Sequence, residues 1–119
     1  MAKYEKSVIG DFGQIVNQLE NHIMRDAMSM NLVDASDFSS GDINIAVRVY
    51  DKYYMRIESR ASLSLTVVSH DNHVFISAIG AGGGRGIYFN FDYGAEADMV
   101  SIVQRSVEGM IEHGNQDNN

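Results

Sequence analysis

A chain of 119 residues and 13.2 kDa has room for one ordinary domain and not for two. Hydrophobic residues at 45% and charged residues at 21% place it among globular proteins rather than disordered ones. Sixteen Asp+Glu against nine Lys+Arg leave a formal charge of −7, which argues against a generic nucleic-acid binder and against docking on an anionic membrane. Cysteine is absent, so disulfides, thiolate nucleophiles and Cys-ligated zinc are excluded together.

No stretch approaches the roughly 18 consecutive apolar residues of a membrane helix. The opening Met1-Ala2-Lys3-Tyr4-Glu5-Lys6 lacks the apolar core of a signal peptide, so a cytoplasmic location is expected. Proline is absent too, so no ring interrupts a helix or a strand.

Residues 3–9 alternate weakly and predict a first strand ending at Gly10. Asp11 followed by Gln14 predicts a capped helix start, and Phe12, Ile15, Val16, Leu19 and Ile23 recur at helical spacing. From Ser29 the period changes to two, and Ser36 to Gly41 reads as a loop. Ile43, Ile45, Val47 and Val49 then share one face of a long strand, with Asn44, Ala46, Arg48 and Tyr50 on the other. The apolar set is the expected core face, and a bulge near Asp51-Lys52 would carry that register on to Tyr53, Met55 and Ile57.

Glu58 to Arg60 reads as a turn. Leu63, Leu65 and Val67 alternate with Ser62, Ser64 and Thr66 in the next strand. His70-Asp71-Asn72-His73 reads as a hairpin turn, Val74 to Ile79 as a strand, Gly80 to Gly86 as a flexible connection and Ile87 to Phe91 as a further strand. A second helix is expected from Ala95 to His113, with Met99, Ile102, Val103, Val107, Met110 and Ile111 on its apolar stripe and Gly114 at its stop. The sum is a two-layer α+β domain over residues 1–114, with a polar disordered tail at 115–119. Its antiparallel sheet should have five or six strands, with both helices on one face. The expected core includes Phe12, Leu19, Ile23, Ile45, Val47, Leu63, Leu65, Ile76, Val103 and Val107.

Catalytic motifs are not evident. The glycines of Gly80 to Gly86 lead into a predicted strand rather than a helix, unlike a phosphate loop or a dinucleotide fingerprint. His70 and His73 on a tight turn lack a third ligand in sequence, so no metal and no cofactor is expected. No serine sits in a Gly-x-Ser-x-Gly setting, and no one carboxylate pair stands out among the acids. The expectation is that the protein is not an enzyme.

The chief anomaly is a local reversal of charge. Arg48, Lys52, Arg56 and Arg60 place four of the nine cations within 13 residues, interleaved with Tyr50, Tyr53 and Tyr54. On the expected register Arg48, Tyr50, Lys52, Tyr54 and Arg56 point away from the helices, onto an open sheet face. Three readings compete for that face: ordinary solvated charge, a protein interface rich in Tyr and Arg, and a site for an anionic small molecule clamped by Arg48, Arg56 and Arg85 of the Gly-rich flap.

Lys3-Tyr4-Glu5-Lys6 leading to Gly10-Asp11-Phe12, with Ala46 to Tyr53, Ser64 to Val67 and Ile76 to Ile79, resembles a family of small uncharacterised bacterial domains, mostly Gram-positive. The resemblance spans about residues 3–110 and implies no catalytic residue. At fold level the element order is similar to TATA-binding-protein-like and helix-grip domains, which host unrelated functions. The expected role is a cytoplasmic module that forms a homodimer or binds a protein partner through a sheet face or edge; the alternative is binding of an anionic small molecule.

Overall fold

The computed structural model describes residues 2–26, 29–55, 58–82 and 89–117. Among the described residues seven elements follow one another: β1 (Ala2–Ile9), α1 (Phe12–Asp26), β2 (Met30–Ser40), β3 (Ile43–Tyr54), β4 (Ser59–His70), β5 (His73–Gly82) and α2 (Phe89–Asp117). The five strands form one antiparallel sheet in the order β1-β5-β4-β3-β2. Both helices pack on the same side of it, α2 across β5, β1 and β4, and α1 beside α2 over β4 and β2. This is the two-layer α+β arrangement expected from the alternating strands and the two amphipathic stripes.

Local chemistry sets the element ends. Asp11 caps α1 as its sequence position predicts, its Oδ2 accepting from the Gln14 backbone N–H at 3.0 Å. The β4–β5 hairpin closes through Asp71-Asn72, with His70 opposite His73 and Asp71 at φ 56°. Gly41, at φ 60°, turns β2 into β3, a conformation that costs glycine nothing.

Several expectations change. Ser36 to Ser40 is strand rather than loop, because each of these residues pairs with β3, from Ser36 opposite Val47 to Ser40 opposite Ile43. The register shift lies in β2 at Val33, between Leu32 and Asp34, while β3 pairs β4 without interruption from Ile43 to Tyr54. Ser59 and Arg60 are already in β4. Phe89 to Phe91 open α2 instead of forming a sixth strand: both neighbours of β5 are occupied, by β1 and β4, so a following strand has no place beside it. The expected strand positions Ile87 and Tyr88 lie outside the described residues. The second helix also continues past Gly114 to Asp117, since glycine permits a helix stop without enforcing one.

The core lies between sheet and helices. Leu19, Ile23, Leu63, Leu65, Ile76, Met99, Val103 and Val107 are buried within it, and Phe12 packs at its edge. Gly80 lets α2 approach β5 closely, because a Cβ there would stand 2.7 Å from the Glu96 carbonyl oxygen. Glu96 is itself buried and accepts from the Gly82 N–H at 2.6 Å.

Ile45 and Val47 are not in this core, and here the expected register is reversed. Cross-strand pairing sets Ala46 opposite Val67, Arg48 opposite Leu65 and Tyr50 opposite Leu63, so the even-numbered residues of β3 face the helices. The strand β4 decides the matter. Its Ala61, Leu63, Leu65 and Val67 are all buried and its Ser62, Ser64 and Thr66 are not, which orients every strand paired with it.

Candidate functional site

The reversal relocates the four described residues that were expected on the open face. Arg48, Tyr50, Lys52 and Tyr54 lie under the helices, not on an open face. Tyr50 is only 1% exposed. Burial and the nearby Glu20 push its hydroxyl pKa up to about 12, against a smaller opposing effect of Arg48. The Tyr54 hydroxyl donates to Asp98 of α2 at 2.9 Å, and burial with that bond raises its pKa strongly. Lys52 sits over the Tyr54 ring, 4.9 Å from its centre.

Arg48 is the most committed of the four. Its side chain is 11% exposed, Nε donates to Glu20 Oε1 of α1 at 2.9 Å, and Nη2 to Asp37 Oδ1 of β2 at 2.9 Å. Nη1 donates to the Ser36 and Val47 carbonyls. A guanidinium with these partners ties helix to sheet, with four of its five N–H groups committed. Arg56 and Arg85 lie outside the described residues, as do residues 83–86 of the expected flap; Gly80 and Gly82 belong to β5.

The open face of the sheet carries instead an apolar band, centred on β3 and one end of the sheet, beside the hydroxyls of Ser62, Ser64, Thr66 and Ser77. One cross-strand row reads Phe38, Ile45, Val68 and Phe75 over four adjacent strands, ending at Ser7. Ile43, Val47, Val49 and Ile79 flank it. Phe38 is 59% exposed, Ile43 40% and Phe75 39%. At one corner Ile9, Val68, His70, His73 and Phe75 line a hollow of about 420 Å³.

Charge on this face is sparse and mostly self-paired. Its described charged residues are Lys3, Glu5, Asp34, Asp51 and Arg60, two cations and three anions, net −1 against −7 for the chain. Lys3 lies 3.7 Å from Glu5, and Arg60 3.2 Å from Asp51. The apolar alternation that produces the face was readable in β3 from sequence; its direction was not.

Two polar clusters lie elsewhere. His70 Nε2 stands 3.1 Å from Asp42 and Nδ1 3.7 Å from Asp71, and all three side chains are exposed at one end of the sheet. Where α1 and α2 meet, His22 Nδ1 shares a hydrogen bond with the Ser106 hydroxyl. Ser106 is buried between the helices. Among the described residues no helix is long and apolar enough to cross a membrane.

Fold and surface together define a small single-sheet α+β domain whose helices cover one face and whose other face is open and carries an apolar band. Its sequence places it in a family of unknown function (DUF6054), matched over residues 1–111, and the chain belongs to that family. No curated protein matches it. Among solved structures it is similar to that of TTHA0849 from Thermus thermophilus, with 7% identity, 99% of each chain covered and a TM-score of 0.39.

Proposed function

We propose that this protein is a non-enzymatic, cytoplasmic interaction module that self-associates by packing the open sheet faces of two copies together. The observation that carries this reading is the uncovered apolar row Phe38-Ile45-Val68-Phe75 with its flanking aliphatics. Large exposed apolar patches are uncommon on monomers and mark contact surfaces. The cytoplasmic placement rests on the cysteine-free composition.

Area and charge both fit a second copy. Five strands about 4.8 Å apart and about 10 residues long span roughly 24 by 33 Å, or about 800 Å². That is about what each partner contributes to a standard interface. Two chains of charge −7 repel at long range, yet the face nearly free of net charge is the one on which they can approach. The row is also self-complementary. A two-fold axis along its central strand sets the protruding Phe38 of one copy over the Ile9-Phe75 hollow of the other, and the reverse.

The sheet edges are poorer candidates. β2 is interrupted by its bulge at Val33 and carries Asp34 and Asp37, while β1 carries Lys3, Glu5 and Lys6. Bulges and edge charges are the usual devices that block strand addition. The test is the solution mass by light scattering at low and high salt. Twice 13.2 kDa at both salts is expected for an apolar interface, falling to 13.2 kDa in Val47→Glu with unchanged circular dichroism. A monomeric wild-type chain at high concentration overturns self-association and turns the search to a different protein.

A further inference from the structure

On the opposite side of the sheet a separate groove opens between β1, the first half of α1 and the last turns of α2. Its space is about 500 Å³, within the range of roughly 300–1,000 Å³ common for small-molecule sites. The floor is apolar, formed by Val8, Ile15, Ile76, Val107, Met110 and Ile111. Val107 and Ile76 are fully buried at its base, and Met110 and Ile111 are half-buried along its wall. Lys6, Asp11, Gln14 and Gln18 supply the polar rim.

Lys6 is the informative residue. It occupies a helix-side position of an edge strand, two residues before Val8 of the floor. Lys3, Arg48 and Arg60 each have a carboxylate partner, whereas Lys6 has no ion pair among the described residues. Among the described residues the one acid on the rim, Asp11, is turned to capping duty on the Gln14 amide. The rim thus carries an uncommitted ammonium and two side-chain amides above an apolar trough, in a protein that is otherwise acidic.

We infer that this groove binds an amphipathic carboxylic acid of medium chain length, its carboxylate on Lys6 and its hydrocarbon chain along Val8, Ile76, Val107 and Ile111. The chemistry of the two halves excludes simpler ligands. A compact polar anion would leave the trough wet, and an uncharged hydrocarbon would leave Lys6 unused. The floor of this groove lies on the helix side of the sheet, opposite the apolar band, while Ser7, Val8 and Ile9 of β1 border both the groove and the corner hollow.

The test is calorimetric titration of the full chain with sodium laurate below its micelle concentration, with dodecylamine as the cation of equal chain length. One laurate per chain is expected, with dodecylamine binding at least about tenfold more weakly, a difference of about 1.4 kcal/mol. Lys6→Glu should weaken laurate by a similar factor, and Ile111→Asp, at a half-buried position that tolerates the change, should abolish saturable binding. Val47→Glu, on the open face, should leave it unaltered. Absence of saturable laurate binding, equal affinity for the amine, or equal laurate affinity in Lys6→Glu overturns the proposal. Loss of binding in Val47→Glu alone overturns it as well, since the acid would then lie on the sheet face.

Discussion

Arg48 and Glu20 are joined at 2.9 Å between Nε and Oε1, and through this contact the middle of β3 holds the outer side of α1. The same guanidinium reaches Asp37, so one side chain links the helix to two strands. Removing it leaves Glu20 facing the sheet without its partner. Arg48→Ala is therefore expected to cost about 2 kcal/mol, given the strength of hydrogen bonds to charged groups and the partial exposure of both acids. In a domain of this size that is a fall of roughly 10 °C in melting temperature, measurable by calorimetry. Its oligomeric mass should stay that of the wild type, because Arg48 is not on the open face.

The buried tyrosines set the alkaline limit of stability. Burial pushes the Tyr50 hydroxyl up from 10.0 to about 12, and it raises Tyr54 and Tyr4 in the same direction. Between the two values the unfolded chain has lost the Tyr50 proton while the folded chain retains it. The stabilisation from this group is thus complete below pH 10 and disappears as pH rises through about 12. A pH titration followed by near-ultraviolet absorbance should show these tyrosines ionising late, together with loss of the circular dichroism signal. Tyr50→Phe should move that transition to higher pH; a transition unmoved by the substitution would show that Tyr50 does not contribute to it.

At Gly80 the backbone of α2 lies close against the sheet. An alanine there sets its Cβ 2.7 Å from the Glu96 carbonyl, an atom of helix backbone that cannot rotate away. Gly80→Ala should lower stability by about 1–3 kcal/mol, read from urea unfolding. The Gly41→Ala change places its Cβ in open space, so its smaller cost reflects only the positive φ.

The open face makes an opposite prediction from the buried set. Phe38→Glu and Val47→Glu should change mass with little loss of monomer stability, because both side chains already meet solvent or half meet it. The contrast with Arg48→Ala, which should change stability and not mass, separates the two sides of β3 in one pair of measurements.

Much of the molecule could be read from the chain. The stripe of Leu19 and Ile23 and that of Met99, Val103 and Val107 are both buried as expected. The Asp11 cap and the His70–His73 hairpin are where local chemistry sets them. Strand β4 has a serine or threonine at every other position from Ser62 to Thr66, so its buried side was unambiguous. The candidate site fared differently. The alternation of Ile43, Ile45, Val47 and Val49 was visible, but its association with the core was not correct, and the basic-aromatic set moved under the helices with it.

The sequence by itself determined most of the elements and their limits, the α+β class and the presence of two chemically distinct sides on β3, since each of these follows from period, caps and turns within a few residues. Only the tertiary structure decided which side of β3 is buried, that Ser36 to Ser40 join the sheet, and that Phe89 to Phe91 begin a helix. These depend on residues far along the chain. Taken alone, the aliphatic odd face of β3 reads as the core side, but the hydrogen-bond register with its neighbour β4 turns Ala46, Arg48 and Tyr50 inward and leaves Ile45 and Val47 on the open face.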